Sequence, residues 1–321
     1  MEIVMTGQAT PAQIAAFLVA LRIKGETPCE ISSFARAMRH HALQVSTSRA
    51  DVVDTCGTGG DGCDTFNIST AAAFVAAGAG VAIAKHGNRC VTSRCGSADV
   101  LEALGVCLTL SPAQVGRCID EIGIGFMFAP ALHPAMKHAV GPRRELKLRT
   151  VFNLLGPLTN PAGARRQVLG VFQERWVLPV AEALRELGAE HALVVHGLGG
   201  LDEISTIGPT RVAELREGTI SEYELQPEAL GFARARPEDL VGGDVDRNVA
   251  TLTAALSGQA GPVRDIVVLN AAAAIYVGGR APSLLSALGV AEQVIDSGAA
   301  TAKLTELVRF SQAIAQEGSA A

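Results

Sequence analysis

The sequence contains few aromatic residues and has no excess of positive charge. Phe, Trp and Tyr make up 4% of its 321 residues, and the formal net charge is -5. Proteins that bind single-stranded nucleic acid stack bases on aromatic rings, and binding to duplexes or membranes needs a strongly basic surface. The composition therefore argues against nucleic acid and membranes as partners, although it is compatible with a local basic pocket.

The cysteines and the apolar runs exclude further classes of protein. None of the seven cysteines belongs to a CxxC pair, so neither a disulfide framework nor a structural zinc site is predicted. The amino-terminal stretch lacks the basic segment and apolar core of a signal peptide. The apolar run over residues 71–84 is too short to span a membrane and is interrupted by Gly78 and Gly80. We therefore expect a cytoplasmic protein with reduced thiols.

Two consecutive helix signals open the chain. Thr10 can cap a helix that begins at Pro11 and ends at Gly25, and Thr27 begins the same pattern for a second helix ending near residue 41. The first fifty residues show no strand pattern, which predicts a small helical domain ahead of an α/β domain. We assign residues 1–48 with 133–162 to the helical domain, and residues 49–132 with 163–321 to the α/β domain.

From residue 51 onward, short β-branched runs alternate with alanine-rich stretches. This alternation is typical of parallel strands joined by crossover helices. The predicted strands occupy residues 81–84, 126–128, 167–172 and 192–195. The predicted helices occupy residues 97–104, 112–123, 133–149, 151–155, 176–187, 265–277 and 283–315. The sequence therefore predicts an α/β fold with a mainly parallel central sheet flanked by helices.

Three clusters of small, polar and basic residues lie close together in the sequence. They are the glycine loop, residues 57–61 (GTGGD), the helix start, residues 67–70 (NIST), and the basic loop, residues 85–89 (KHGNR). A glycine-rich backbone, a helix amino terminus and paired cations each suit a phosphate. Each cluster also has an ordinary interpretation, as a tight turn, a simple helix cap or a solvated loop. Their proximity favours a phosphate-binding site, but the glycine loop matches neither a Walker A nor a GxGxxG motif.

Four residues outside or within these clusters indicate further chemistry. Asp202 and Glu203 follow a strand and a glycine-rich turn, and adjacent carboxylates suit Mg²⁺, although an exposed acidic turn would look the same. Arg143 could bind a carboxylate through both guanidinium nitrogens or simply be a surface residue. His86 is either a hydrogen-bonded structural histidine, which we favour, or a proton-transfer group.

Taken together, these motifs resemble those of the anthranilate phosphoribosyltransferases. The resemblance covers nearly the whole chain from residue 13 onward, and the motifs are specific as a set. The pyrimidine nucleoside phosphorylases share the architecture and a similar KHG loop, but not the RTVFNLLGPLTNP segment. The shared segments are residues 57–61 (GTGGD), 65–70 (TFNIST), 85–89 (KHGNR), 96–99 (GSAD), 149–158 (RTVFNLLGPL) and 202–203 (DE).

The resemblance implies two substrate sites and a magnesium site, with Lys85 and His86 as candidate catalytic residues. It also implies a homodimer formed through the helical domain. Phosphoribosyl pyrophosphate (PRPP) would contact Gly57, Gly60, Asp61, Thr65, Asn67, Ile68, Ser69, Thr70, Lys85, His86, Gly87, Asn88, Arg89, Cys90, Val91, Thr92, Ser93 and Ser97. Anthranilate would contact Gly57, Asn88, His133, Arg143, Gly156 and Pro157. Two Mg²⁺ ions per subunit would be held by Ser69, Asp202 and Glu203.

The reaction implied is displacement of pyrophosphate from C1 of the ribose by the anthranilate amine. Breaking the C1–O bond builds positive charge on the ribose and negative charge on the departing pyrophosphate. Backbone amides, Lys85 and Mg²⁺ would stabilise that negative charge more in the transition state than in the ground state. The aromatic amine needs positioning rather than activation, so no covalent nucleophile is expected.

Two departures from the family pattern bear on these expectations. Cys95 stands where the family's SGSAD motif has serine, and a thiol is a weaker hydrogen-bond partner. Because Ser97 is retained, we expect altered binding strength rather than loss of binding. Family members also usually carry another helix before residue 5, so the start of this chain bears on the expected dimer interface.

Two rival functions are considered. A nucleoside phosphorylase of the same fold would use inorganic phosphate, but Asn88, Arg143 and the lack of a clear nucleobase site argue against it. A non-catalytic, nucleic-acid-binding relative should be basic and should have lost parts of the glycine and acidic motifs. This chain is acidic and retains both motifs.

Overall fold

A seven-stranded sheet forms the centre of the molecule. The computed structural model describes residues 1–89 and 95–319. The strands are β1 (Val53–Gly57), β2 (Ile83–Gly87), β3 (Ile124–Phe128), β4 (Arg166–Gly170), β5 (His191–Gly197), β6 (Thr210–Arg216) and β7 (Thr219–Leu225). They stand in the order β3-β2-β1-β4-β5-β6-β7. The first five are parallel, whereas β6 and β7 are antiparallel to their neighbours, which confirms the predicted mainly parallel sheet.

Helices precede the sheet and cover both of its faces. The α-helices are α1 (Glu2–Met5), α2 (Pro11–Lys24), α3 (Pro28–His40), α4 (Ile68–Gly78), α5 (Ser97–Ala103), α6 (Pro112–Ile122), α7 (Ala129–Leu132), α8 (Lys137–Leu146), α9 (Phe152–Leu155), α10 (Val177–Glu186), α11 (Val245–Leu256), α12 (Pro262–Val277), α13 (Leu284–Asp296) and α14 (Ala299–Ser319). Within the described ranges, no helix has both the length and the apolar character needed to cross a bilayer.

The two amino-terminal helices begin where the sequence predicts. Thr10 and Thr27 each accept a hydrogen bond from the backbone three residues on, and both capping boxes are complete. α2 packs against α8, and α3 packs against α10. The helices at the start of the chain therefore contact both the segment before α9 and one face of the sheet.

Two apolar cores lie on opposite faces of the sheet. Successive residues of one strand enter different cores, as Val168 and Leu169 of β4 do, because side chains alternate across a strand. One core is formed with α4, α12 and α14. The other is formed with α2, α3 and α10. α4 is buried along almost its whole length, which explains why its sequence is nearly all apolar.

The basic loop is not a loop throughout. Lys85, His86 and Gly87 belong to β2, where they pair in register with Phe126, Met127 and Phe128 of β3. The predicted strand at residues 81–84 is therefore displaced towards the carboxyl side. A lysine is tolerated inside this strand because its ammonium group finds hydrogen-bond acceptors on neighbouring elements.

Two of the predicted long helices are broken. The segment predicted as one helix over residues 133–149 contains a 3₁₀ turn, then α8, and ends at Lys147, whose φ is 49°. Arg149 consequently lies outside a helix. The segment predicted as helical over residues 283–315 divides into α13 and α14 at Gly298, which has a φ of 77°. Left-handed backbone at both breaks ends the regular helical hydrogen bonding.

The antiparallel hairpin of β6 and β7 is absent from the strands predicted from the sequence. Its two-residue turn consists of Glu217 and Gly218, with φ of 51° and 79°. Positive φ at both turn residues matches the twist of a hairpin, and glycine at the second position is a recognisable signal for it. The charged side chains of β7 hid the strand, because this edge strand is largely solvent-facing.

Candidate active site

The carboxyl ends of three adjacent strands bring the predicted clusters together. β1 ends at Gly57 and pairs in parallel with β4, which ends at Gly170. β2 lies on the other side of β1 and ends at Gly87. Ligands of parallel sheets bind in the crevice beyond such strand ends. The glycine loop, the basic loop that begins at Lys85, and the start of α4 therefore border one crevice.

The glycine loop is held against the acidic pair. The N–H of Gly59 donates to Asp202 Oδ2 at 2.7 Å. Gly59 and Gly60 have φ of 64° and 67°, a left-handed conformation that favours glycine. A Cβ on Gly57 would stand 2.2 Å from Asp202 Oδ2. The loop thus needs glycine both for its shape and for its close approach to Asp202, which a simple tight turn would not require.

At the start of α4, a backbone N–H bonds to the carboxylate of Glu203, and the residue before the helix does not cap it with its side chain. Asn67 makes no side-chain cap bond, and its Nδ2 instead donates to the carbonyl of Cys95 at 3.2 Å. The N–H of Ser69 donates to Glu203 Oε1 at 3.1 Å. Thr70 Oγ1 is buried without a hydrogen-bond partner among the described residues. The simple-cap interpretation of Asn67 is therefore wrong, and this helix end stabilises negative charge.

Lys85 is the buried cation of the crevice. The residue is 3% exposed, and its Nζ donates to the carbonyl of Thr55 and lies 3.3 Å from Ser69 Oγ. Burial lowers the pKa of Lys85, and nearby carboxylates, Asp54 foremost, oppose that shift. A cation placed among fixed acceptors needs little reorganisation when an anionic ligand arrives.

Asp202 and Glu203 form a partly buried acidic pair beside the glycine loop. Burial and the charge of Asp61 raise the pKa of Asp202 to about 7, and burial and the charge of Asp202 raise that of Glu203 to about 8. Across residues 1–89 and 95–319, no group of three or more His, Cys, Asp and Glu is arranged to hold a metal alone. Mg²⁺ typically combines one or two carboxylates with water and substrate phosphates, so this oxygen donor set fits Mg²⁺.

His86 and His133 form a buried pair of neutral imidazoles. Their ring centroids are 5.1 Å apart. Burial lowers the pKa of His86 to about 3, with His133 adding to the shift and a hydrogen bond to the Gly156 backbone opposing it. Burial lowers the pKa of His133 to about 4. The Nε2 atoms of both rings are buried and lack a hydrogen-bond partner among the described residues.

Arg143 presents a half-buried guanidinium without a carboxylate partner in the described part of the chain. Its Cζ lies 5.0 Å from the ring centroid of Phe152, the first residue of α9. Burial lowers the pKa of Arg143, since the charged form is removed from water. An arginine that is stacked on an aromatic ring and lacks an anion is suited to bind a carboxylate from a ligand.

Arg89 is paired with acidic residues of α5. It forms ion pairs with Asp99 at 3.0 Å and Glu102 at 2.7 Å, both on α5. Ser97 Oγ, at the start of that helix, donates to the carbonyl of Asn88 at 3.3 Å. α5 therefore binds Asn88 and Arg89, the two residues that directly follow β2. The predicted donor residues that lie outside the described ranges are Cys90, Val91, Thr92 and Ser93.

Two predicted site residues, Ile68 and Pro157, have buried side chains, and a third, Thr65, bonds to another segment through its backbone. Ile68 is 1% exposed, with its side chain in the apolar core. Pro157 is buried, and its carbonyl accepts a hydrogen bond from Gln167 Nε2 at 2.9 Å. Thr65 forms an isolated β-bridge with Val241. A ligand would meet Ile68 mainly through its backbone.

The comparisons with known proteins agree with this geometry. Two models of the glycosyl transferase family match the chain, the helical bundle domain over residues 1–42 and the a/b domain over residues 49–301. The anthranilate phosphoribosyltransferase of Rubrobacter xylanophilus is 58% identical over 319 residues, which cover 99% of this chain and 93% of that protein. The chain belongs to the anthranilate phosphoribosyltransferase family. The Moorella thermoacetica member is 57% identical, with 97% of this chain and 91% of that protein covered.

Solved structures of anthranilate phosphoribosyltransferases have the same fold. The Thermus thermophilus structure is 49% identical, covers 97% of this chain and 93% of its own, and gives a TM-score of 0.93. A Saccharomyces cerevisiae structure in complex with PRPP and Mg is 29% identical, with 94% and 86% covered and a TM-score of 0.86. Another from that organism, in complex with 4-fluoroanthranilate, is 28% identical, with 94% and 86% covered and a TM-score of 0.85.

Sequence reasoning missed a buried polar network behind the site of this family member. Asp54 of β1 accepts hydrogen bonds from Asn160 Nδ2 at 2.7 Å and from the N–H of His86 at 3.0 Å. Asn160 also donates to the carbonyl of Ala84 at 2.9 Å. Burial raises the pKa of Asp54, and these hydrogen bonds oppose the shift. An aspartate within an apolar strand was the available signal for this network.

A cavity of about 780 Å³ lies at the other end of the sheet from this candidate site. It is lined at the amino ends of β4 and β5 and contains several arginines. Those arginines already have partners, since Arg165 and Arg166 share Glu190, and Arg280 pairs with Asp51. The charges of this cavity are therefore largely compensated within the protein.

Proposed function

We propose that this chain transfers the phosphoribosyl group of PRPP to the amine of anthranilate, in tryptophan biosynthesis. The products are N-(5-phosphoribosyl)anthranilate and pyrophosphate. The observation that carries the proposal is the meeting of the glycine loop, Lys85 and the acidic pair in one crevice. The relatives that match almost the full chain are anthranilate phosphoribosyltransferases, which favours this reaction over a nucleoside phosphorylase.

The donor PRPP is assigned to the crevice beyond β1 and β2. The backbone of the glycine loop and the start of α4 would bind its phosphate oxygens, because a glycine-rich loop and a helix amino terminus both present N–H groups to an anion. Lys85 would lie beneath the departing pyrophosphate. A complex of the yeast relative with PRPP and Mg supports a donor site of this kind.

Magnesium is assigned to Ser69, Asp202 and Glu203, with two ions per subunit. The acidic pair fits a divalent cation because burial and a neighbouring carboxylate, Asp61 for Asp202 and Asp202 for Glu203, make both groups hard to ionise without a cation. When bound there, Mg²⁺ would neutralise charge on the pyrophosphate. The protein's own contribution is to hold the oxygen ligands rigidly, through the N–H groups of Gly59 and Ser69.

The acceptor anthranilate is assigned to the side of the site that carries Arg143. The guanidinium would bind the anthranilate carboxylate, while the neutral rings of His86 and His133 would border the aromatic ring. Burial lowers the pKa of His86 to about 3, so its neutral ring is a weak proton acceptor. His86 is therefore assigned to positioning rather than to proton transfer.

Catalysis is then mainly orientation and electrostatics. The crevice fixes the amine in line with C1 and the departing oxygen, which removes much of the entropic barrier. Preorganised amides and Lys85 stabilise the charge that develops on pyrophosphate. We propose no covalent intermediate.

The helical domain, residues 1–48 with 133–162, is proposed to form the homodimer interface. Ile3, Ile23 and Val140 are large apolar residues that are exposed on α1, α2 and α8. α8 packs against both α1 and α2, so the three helices belong to one surface region. Exposed apolar residues that recur in one region favour association. We propose a cytoplasmic location for the dimer.

The test follows the fluorescence of anthranilate in the presence of PRPP and Mg²⁺. We expect time-dependent loss of fluorescence that stops when a chelator removes the metal and resumes when Mg²⁺ is restored. A parallel reaction supplies pyrimidine nucleosides with inorganic phosphate. Absence of magnesium-dependent loss at high enzyme concentration contradicts the proposal, and release of nucleobase would favour the phosphorylase instead.

A further inference from the structure

Arg149 connects the helical part of the molecule to the glycine loop. It lies between α8 and α9, at the start of the RTVFNLLGP segment. Its backbone carbonyl accepts a hydrogen bond from Arg22 Nη1 of α2, and its own Nη2 donates to the carbonyl of Gly60. One residue thus bonds to a helix at one end and to the donor loop at the other.

An aromatic ring fixes the direction of the Arg149 side chain. Its Cζ lies 4.7 Å from the ring centroid of Phe172, a residue that is itself buried. The N–H of Phe172 donates to Thr58 Oγ1 at 3.0 Å, and the N–H of Thr58 donates to the carbonyl of Gly170 at 2.9 Å. The ring that supports the guanidinium is therefore tied to the same loop that the guanidinium contacts. A stacked guanidinium on a fixed ring is preoriented for its hydrogen bond.

The hydrogen bond from Arg149 controls how one peptide group of the loop is turned. Gly59 and Gly60 are both left-handed, and glycine can adopt either sign of φ at little cost, so the loop does not fix its own peptides. A trans peptide is planar, so the N–H of Asp61 must point away from the Gly60 carbonyl. By holding that carbonyl, Arg149 turns the Asp61 N–H to the other side of the loop. Anion-binding loops depend on such an alignment of N–H groups.

We propose that Arg149 is a positioning residue, which acts through Gly60 to keep the glycine loop in the conformation that binds the donor phosphates. The inference rests on the proposed function, because it takes the glycine loop as the PRPP site. Arg149 itself does not contact the substrate. The acceptor-side segment and the donor loop are in this way mechanically connected by one side chain.

Steady-state kinetics of Arg149→Ala and Arg149→Lys test the proposal. Loss of a charge-assisted hydrogen bond that orders the loop should raise the KM for PRPP about tenfold, with kcat and the KM for anthranilate within about twofold of wild type. Lysine keeps a charge but cannot stack as a plane, so Arg149→Lys should have an intermediate KM. The matched control is Arg144→Ala, at an exposed arginine of α8, which should leave all three constants unchanged.

A double-mutant cycle separates positioning from a general loss of structure. Phe172→Leu removes the ring beneath the guanidinium, so it should raise the KM for PRPP by itself and weaken the effect of adding Arg149→Ala. Thermal unfolding identifies variants that fail to fold, and calorimetric binding of PRPP with Mg²⁺ to Arg149→Lys then provides the decisive measurement. Unchanged PRPP binding in a folded Arg149 variant, or strictly additive effects, overturns the proposal. An inactive wild-type protein would instead overturn the proposed function.

Discussion

At the scale of single residues, the site is defined by ionisable groups held away from their usual protonation behaviour. Burial lowers the pKa of Lys85 and of the two histidines. Burial raises the pKa of both carboxyl groups of the acidic pair. Such opposed shifts cost folding free energy unless a ligand or metal compensates them. The cost is consistent with a binding site rather than a structural network.

Replacement of Lys85 tests whether the buried cation contributes to catalysis. We expect Lys85→Ala to lower kcat by about a hundredfold or more at saturating PRPP, because the departing pyrophosphate loses a preorganised charge. The control is Lys137→Ala, at an exposed lysine that begins α8. Rates are followed by anthranilate fluorescence, and an unchanged kcat in Lys85→Ala would show that orientation alone suffices.

The histidine pair makes folding stability sensitive to acid. Burial lowers the pKa of His133 in the folded protein to about 4, from an ordinary value of 6.5, so the unfolded chain binds more protons between these two pH values. The free energy of unfolding should therefore fall as pH decreases from 6.5 towards 4. In His133→Gln the free energy of unfolding should fall less between pH 6.5 and pH 4 than in the wild-type protein, by roughly 1–3 kcal/mol. Denaturant titrations at several pH values measure it.

The exposed His40 supplies the control for that measurement. His40→Gln should leave the pH dependence of unfolding as it is in the wild-type protein, because the His40 side chain is exposed to water in the folded protein as it is in the unfolded chain. If His133→Gln and His40→Gln had equal slopes, the buried histidine would not be the source of the acid sensitivity.

At the scale of elements, short parallel strands that end in glycine determine where ligands can approach. A Cβ on Gly170 would stand 1.5 Å from the carbonyl oxygen of Asp202, and one on Gly87 would stand 2.3 Å from Ser97 Oγ. At the ends of β1, β2 and β4, another segment therefore approaches so closely that no Cβ would fit. The close approach brings the acidic pair to the glycine loop, although the two are far apart in the sequence.

Substitution of Gly57 tests this close approach. In Gly57→Ala the new methyl group would occupy the position of the Asp202 carboxylate, so that side chain must turn away from Gly59. We expect the concentration of Mg²⁺ needed for half-maximal rate to rise about tenfold or more. The control is Gly289→Ala on α13, where a Cβ meets nothing within 4 Å and alanine favours the helix. An unchanged magnesium requirement in Gly57→Ala would contradict the assignment of Asp202.

At the scale of the whole molecule, the sheet separates two apolar cores and the helical part supplies an outer surface. The first core buries α4 beneath the donor crevice, and the second joins the amino-terminal helices to α10. α2 packs against α8, and α8 carries Arg143. Association of subunits through these two helices would therefore stabilise the acceptor side of the site. The dimer is thus proposed to have a functional as well as a structural role.

Substitution of Ile23 tests the proposed dimer. Ile23 is 81% exposed on α2, so Ile23→Asp should not disturb the monomer fold but should introduce an uncompensated charge into an apolar interface. We expect a monomer by size-exclusion chromatography with light scattering. Leu285→Asp, at a leucine that is 65% exposed on α13, should keep the wild-type mass. A dimeric Ile23→Asp would place the interface elsewhere.

Local patterns in the sequence determined a large part of this protein. The capping boxes of α2 and α3, the alternation of strands and helices, and the glycine, NIST and acidic motifs all follow from nearby residues. Local chemistry dictates helix starts and turn conformations, so such features can be predicted without the fold. The same reasoning was less successful where charged side chains concealed the end of β2 and the whole of β7.

The tertiary structure alone decided what these motifs contact. The meeting of Gly59 with Asp202, of Asp54 with Asn160, and of Arg149 with Gly60 depends on strand order and crossover paths. The shifts in pKa likewise arise from burial, which is a property of packing rather than of sequence position. Contacts between residues a hundred positions apart follow from the global arrangement of elements, and local preferences contain no information about them.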